Sequence, residues 1–152
     1  ELLQTLLDDY RDQGFEIAFS GPLRWVYFGR PLGLKRVMTN LLDNAIKYGS
    51  EPAIELIPGA GEVRIKILDR GPGIPDASLE QVFAPFFRLE GSRNKSTGGV
   101  GLGLSAARAI VLEHGGELTL RNRSTGGLEA LVVLPVHPTP RQLSNFCNDA
   151  IL

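Results

Sequence analysis

Behind Pro31, the residues Leu34, Val37, Met38, Leu41, Leu42, Ala45 and Ile46 recur at helical spacing and stop short of Gly49. That broad apolar stripe predicts a long helix that cannot stand alone and must be covered by a second layer. The runs downstream have a different period. "AIELI" and "EVRIKIL" flank "PGAG", and "ELTLR" and "LEALVVL" flank Gly126-Gly127, all rich in β-branched or alternating apolar residues. These read as two hairpins, and so as a sheet on which the helix packs. Upstream, Leu2, Leu3, Leu6, Leu7 and Tyr10 predict a first helix ending near Gly14, and "FEIAFS" and "WVYF" around Gly21-Pro22 predict a further hairpin. "VGLGLSAARAIVLEHGG" predicts a later helix closed by a glycine pair.

With 152 residues, 43% of them hydrophobic, the chain has apolar material for one ordinary core, which predicts a single domain. A net charge of -1 gives no footing for nucleic acid or an anionic membrane surface as the main partner, so any phosphate site must come from local geometry. Cys147 stands alone, which excludes an intrachain disulfide, and the 2 histidines lack nearby cysteines for a zinc site of ordinary spacing. A reducing compartment is the simpler reading. No apolar run approaches the length that spans a bilayer, and no signal-peptide pattern opens the chain. The start at Glu1 reads as an excised or processed piece of a longer protein. The polar, glycine-rich "RLEGSRNKSTGG" from Arg88 to Gly99 reads as a mobile loop, and the stretch after Pro135, with Pro138 and Pro140, as a tail or linker.

Three motifs carry chemistry. On the long helix, Asn40, Asn44, Lys47 and Tyr48 fall at i, i+4, i+7 and i+8, on one face roughly opposite the core stripe. For the helix alone this face reads equally as a site or as plain solvated surface, although asparagine is a poor choice for an exposed helix interior because its amide competes with backbone hydrogen bonds. In "DRGPGI", Asp69 ends a regular strand, and Gly71 and Gly73 would let a ligand approach the backbone while the carboxylate accepts from an exocyclic amine. Taken alone, this motif reads first as a tight turn capped by aspartate. "GGVGLGL", Gly98 to Leu104, runs into a helix and offers backbone N–H groups to a polyphosphate, unless it is only a hinge. It lacks the Gly-Lys-Ser/Thr end of a P-loop, and "GLGLSA" follows a polar loop instead of the strand a dinucleotide fingerprint requires.

Taken in order, the asparagine helix, "DRGPG", "FAPFFR" and "GVGLGL" resemble the asparagine, first glycine, phenylalanine and second glycine boxes of the ATP-binding domain of two-component sensor histidine kinases, over roughly Phe15 to Pro135. The resemblance implies a GHKL or Bergerat fold: a two-layer α/β (α+β) sandwich, with a mixed, mostly antiparallel sheet covered on one face by about three helices. It implies ATP and Mg2+ as cofactors, and Asn40, Asn44 and Lys47 as catalytic residues. Asn44 would bind magnesium, Asn40 would contact the phosphates and metal water, Lys47 would contact phosphate and Tyr48 would lie against adenine. Asp69 would accept from the adenine amine, with Gly71, Gly73 and Ile74 beside the purine. Phe83, with Phe86 and Phe87, would stand at the base of an ATP lid from Arg88 to Gly99, and Phe83 and Arg88 would contact the nucleotide. Thr97, Gly99, Val100, Gly101, Leu102, Gly103 and Leu104 would shape the phosphate end.

The resemblance further implies that residues 1–13 are the tail of a preceding dimerisation and histidine-phosphotransfer helix, 14–137 the catalytic domain and 138–152 a C-terminal tail. The partners would be that histidine-bearing domain and a response-regulator receiver domain, with no nucleic acid. The piece itself would be a monomer of a homodimeric parent, forming the cytoplasmic portion of an inner-membrane sensor kinase. Two features depart from the pattern. Arg30 stands where the family often has an N-capping Asp, and neither His114 nor His137 has the His-Glu/Asp context of a phosphoacceptor. Alternatives are a hydrolysing GHKL ATPase, an anti-sigma-type serine kinase, or a nucleotide-sensing module without turnover. The hydrolases carry a glutamate base where this chain has Asn40, and an amide cannot take a proton from water.

Overall fold

Pro31 fixes where the long helix starts, because its locked φ suits the first helical position and its missing N–H is not needed there. The computed structural model describes residues 2–22, 26–28, 30–85, 103–136 and 149–151, the two three-residue segments by backbone alone. In chain order the elements are α1 (Leu2–Asp12), β1 (Ala18–Ser20), β2 (Val26–Phe28), α2 (Pro31–Tyr48), β3 (Ala53–Pro58), β4 (Glu62–Leu68), α3 (Gly103–Glu113), β5 (Glu117–Asn122), β6 (Leu128–Pro135) and β7 (Asp149–Ile151). Two short 3-10 turns, Asp76–Ser78 and Gln81–Phe83, lie between β4 and α3.

Leu34, Val37, Met38, Leu41, Leu42 and Ala45 are all buried along α2, as the stripe requires. Full burial of a Leu or Val side chain contributes roughly 1.5–3 kcal/mol, so this stripe is the main bond between the layers. Its counterpart is the inner face of a five-stranded sheet ordered β1-β3-β4-β6-β5. Ile54 and Leu56 of β3, Val63, Ile65 and Ile67 of β4, Ala130, Val132 and Leu134 of β6, and Leu118 of β5 alternate inward. The register lines up two rows across the sheet, Ile54 beside Ile67 and Ala130, and Leu56 beside Ile65, Val132 and Leu118, so both rows face the helices. A slip of one residue would turn them to solvent. Leu3, Leu6, Leu7 and Tyr10 of α1 and Ala107 and Val111 of α3 join the same core. The sheet is mixed and mostly antiparallel, covered among the described residues by three α-helices, the two-layer sandwich that the resemblance implies.

The hairpin expected of the first two strands does not form. β1 pairs in parallel with β3 (Ala18 opposite Ala53), and α2 lies within the crossover between them, as parallel neighbours require. β2 pairs instead with β7, so three residues of the stretch expected as tail form a strand. The reason lies at Gly21, whose φ is +143 and whose absent Cβ would stand 2.7 Å from the Leu56 carbonyl oxygen. The chain turns against β3 there instead of folding back on β1.

At α3 the glycine pair acts as expected. Gly115 has φ +77, its N–H reaches the Leu112 carbonyl and that of Gly116 reaches the Val111 carbonyl, a Schellman ending. His114, read from the sequence as an ordinary helix-terminus residue, is 1% exposed and joins two helices. Its Nδ1 meets the Ile110 carbonyl at 2.8 Å, and its Nε2 accepts from the Arg30 backbone N–H at 3.1 Å. Those contacts define a neutral imidazole with its proton on Nδ1. Arg30 makes no side-chain cap bond, as its chemistry dictates, so His114 anchors the start of α2 in place of a cap.

Candidate functional site

The α2 stripe that faces the core leaves a second face, and on it Asn40 and Asn44 are half-buried while Lys47 and Tyr48 are exposed. Asn40 Nδ2 donates to the Gly103 carbonyl oxygen at 3.1 Å, which ties this face to the first residue of α3. Its amide oxygen is left facing away from that bond. Asn44, one turn further along, spends its side chain on no partner among the described residues, so a half-buried amide oxygen is available to a ligand. Lys47 places a cation beyond it, and Tyr48 keeps 44% of its surface exposed at the helix end.

Asp69 follows the last residue of β4 and is 7% exposed. Its backbone N–H donates to the Leu128 carbonyl at 3.1 Å, which extends the β4–β6 ladder by one bond. One carboxylate oxygen, Oδ1, accepts from the N–H groups of Gly71 at 2.9 Å and Leu128 at 3.2 Å. Nothing among the described residues donates to Oδ2. A buried carboxylate oxygen held in place through its twin and left without a donor is an acceptor waiting for one. Arg123 Nη1 donates to the Asp69 carbonyl at 2.7 Å, so the residue is fixed at both its backbone and its side chain.

Glycines make this packing possible. A Cβ on Gly49 would lie 2.4 Å from Asp69 Cγ, and one on Gly71 would lie 2.5 Å from Gly49 Cα. One on Gly127, whose φ is +95, would overlap the Asp69 carbonyl oxygen. The end of α2, the "DRGPG" loop and the β5–β6 turn therefore close on Asp69 with no side chain between them. Gly73, with φ +74, has its empty Cβ position filled by Asn122 Oδ1. Gly71 and Gly73 thus serve close packing within the protein at this loop.

Asn40, Asn44, Lys47 and Tyr48 share one face of α2; Gly103 joins it through the Asn40 bond, and Asp69 and Gly71 pack against Gly49 at its C-terminal end, while Gly73 and Ile74 sit against Asn122 at the end of β5. Leu104 packs partly buried against the core, and Phe83 is 6% exposed within it. The Arg108 guanidinium lies 4.4 Å from the Phe83 ring centroid and pairs with Glu80, so Phe83 is foremost a packing residue. Phe86, Phe87, Arg88, Thr97, Gly99, Val100, Gly101, Leu102, His137 and the lid at 88–99 lie outside the described residues. Sequence reading missed Arg123, Gly49 and Gly127 as supports of Asp69, and Asn122 as the support of the loop that follows it. "STGG" signalled a turn but not what the turn packs against.

The described residues hold no cluster of three or more His, Cys, Asp or Glu side chains able to grip a metal. A neutral amide oxygen suits magnesium, which takes oxygen ligands and keeps waters and substrate phosphates in its shell, so the residues present fit a metal that arrives with a polyphosphate. No helix among the described residues is long and apolar enough to cross a membrane.

The sequence profile of the histidine kinase-, DNA gyrase B-, and HSP90-like ATPases matches residues 29–138. Sensor histidine kinase GtrS of Pseudomonas aeruginosa is 44% identical over 134 residues, covering 88% of this chain. The chain spans 27% of the length of that relative. Among solved structures, mycobacterial sensor histidine kinase MprB superposes with a TM-score of 0.70 at 31% identity, covering 91% of this chain and 93% of that one. The catalytic domain of histidine kinase ThkA superposes with a TM-score of 0.70 at 28% identity, covering 90% of each chain.

Proposed function

Because the chain belongs to the histidine kinase-, DNA gyrase B-, and HSP90-like ATPases, as an ATP-binding kinase domain of the sensor-histidine-kinase kind, we propose that it passes the γ-phosphoryl group of magnesium-bound ATP to a histidine on a separate dimerisation domain. The observation that carries this reading is the pairing of two unfilled acceptors: Asp69 Oδ2 for the base, and the Asn44 amide oxygen for the metal that accompanies the phosphates. Magnesium, when bound, would neutralise charge on the phosphates. Asn44 would hold it, Asn40 would orient a metal water or phosphate oxygen, and Lys47 would offer a cation to the phosphates. Tyr48 would lie against the adenine ring.

Asn40 favours transfer over hydrolysis. It occupies the position one helical turn before Asn44, and its amide, already donating to Gly103, cannot take a proton from water. A histidine acceptor is nucleophilic without such help, so positioning supplies the catalysis. His114 does not serve as that acceptor, since both its nitrogens are engaged within the core. The acceptor belongs to a dimerisation and histidine-phosphotransfer domain of the parent, a response-regulator receiver is the onward recipient, and the chain works on the cytoplasmic side of an inner-membrane sensor.

Calorimetry with ATP, with and without magnesium, tests the site: Asn44→Ala should abolish the benefit of magnesium and leave adenosine affinity unchanged. Labelled ATP tests the activity. Transfer to an added histidine domain, with little free phosphate, is the expected result; rapid phosphate release by the chain alone would make it a hydrolase.

A further inference from the structure

Asn122 closes β5 and belongs to none of the motifs that contact nucleotide in the reading above. Its amide is spent on the loop that follows Asp69. Oδ1 accepts from the Ile74 backbone N–H at 2.9 Å, and Nδ2 donates to the Ile74 carbonyl at 2.5 Å and to Asp76 Oδ1 at 2.9 Å. The opposite amide orientation would set N–H against N–H at Ile74, so the contacts define which atom is which. Residues 69–75 carry no helix or strand. Apart from Asn122, no described partner takes the N–H or the carbonyl of Ile74, and the side chain does for this loop what a neighbouring strand would do. The next residue, Arg123, holds the other end of the loop through the Asp69 carbonyl.

We propose that Asn122 is a positioning residue for base recognition: by fixing both backbone groups of Ile74, it holds the Asp69–Asp76 loop in the shape that aims Asp69 Oδ2 at the exocyclic amine of adenine. Three features converge on this assignment. Asn122 Oδ1 occupies the space that only a glycine at position 73 leaves open, 2.5 Å from where a Cβ would be. The amide grips backbone, so it constrains loop shape whatever the side chain of residue 74. It stands on the β5–β6 hairpin that also supplies the Leu128 N–H to Asp69 Oδ1, so base acceptor and loop share one rigid support. Among the described residues, no hydrogen bond joins it to the metal and phosphate end, on α2 and the start of α3.

This inference rests on the nucleotide reading, and the test separates the two. Adenosine affinity, and ATP affinity with and without magnesium, are measured by calorimetry on the whole chain for wild type, Asn122→Ala and Asn122→Asp. The second substitution conserves volume and the acceptor for the Ile74 N–H, but sets negative charge against the Ile74 carbonyl and Asp76. Both variants should lose about tenfold in adenosine affinity and the same factor in ATP affinity, as loss of two or three hydrogen bonds gives. The ratio by which magnesium strengthens ATP binding should not move. A magnesium ratio that falls with adenosine affinity would mean general loosening and would overturn the proposal, as would unchanged adenosine affinity in Asn122→Asp. If Asn122→Ala fails to fold, Asn122→Asp decides alone. Wild-type protein that binds no adenosine would sink the nucleotide reading itself, and this proposal with it.

Discussion

Replacing Asp69 with asparagine changes one atom, and the structure dictates where that atom goes. Oδ1 accepts from the Gly71 and Leu128 N–H groups at 2.9 and 3.2 Å. An amide in the same place must keep its oxygen there, because the flipped form would set its NH2 against two backbone donors. The new NH2 therefore replaces Oδ2, the atom assigned to the base in the proposed function. A donor would meet the amino group of adenine, and the lost charge-assisted bond amounts to about 1.5–3 kcal/mol, or roughly 10- to 150-fold in affinity. Since both internal bonds survive, thermal stability should change little. Inosine, which carries an oxygen where adenosine carries the amine, should gain on adenosine in the variant. Calorimetric titration of both nucleosides into wild type and Asp69→Asn, with melting curves alongside, gives the result directly. Equal adenosine affinity in the two proteins would refute the assignment of Oδ2 to the base, and a melting temperature lowered by many degrees would refute the division of labour between the two oxygens.

Tyr10 donates to Asp43 Oδ1 at 2.6 Å, joining α1 to the residue before Asn44, so Tyr10→Phe should cost about 1–2 kcal/mol and lower the melting temperature by roughly 2–8 °C in a chain of this size. Burial first, then the bond to Asp43, raise the phenol above its ordinary value. This stabilisation is complete below the unfolded-state value of about 10 and fades as pH rises above it, because the unfolded chain releases the proton first. Urea unfolding at pH 8 and above pH 10 should show that extra alkaline loss in wild type and not in the variant. Gly49→Ala puts a methyl 2.4 Å from Asp69 Cγ, which should destabilise by about 1–3 kcal/mol and weaken adenosine binding together, as unfolding and calorimetry would report. His114→Ala removes a side chain buried to 1% and both of its bonds, with an expected loss of about 2–4 kcal/mol. In wild type, labelled ATP should leave that imidazole unlabelled, and stable label on it would contradict its burial.

Local pattern was enough for the parts of this protein that depend on period and on residue chemistry. The apolar stripe of α2 and the alternation in β3, β4 and β6 are written in neighbouring residues, because a helix buries every third or fourth side chain and a half-buried strand every second. The Schellman ending at Gly115 and the start at Pro31 are equally local. So is the chemistry of Asn44 and Asp69, since an amide among helix formers and a carboxylate beside glycines are conspicuous in one dimension. What sequence alone did not reveal depends on partners distant along the chain. Nothing near Ala18 says that it pairs with Ala53 instead of folding back as a hairpin. Asn122 is an unremarked strand end until the β5–β6 hairpin sets it against Ile74, 48 residues earlier. Gly49 reads as a helix stop, yet the space it leaves is taken by Asp69, and His114 reads as a helix end until it meets Arg30 across the α2–α3 contact. Periodicity reports which side of an element is apolar, but which polar atom meets which, and which glycine must yield its volume, is settled only when the two layers close and each buried donor and acceptor has to find a partner.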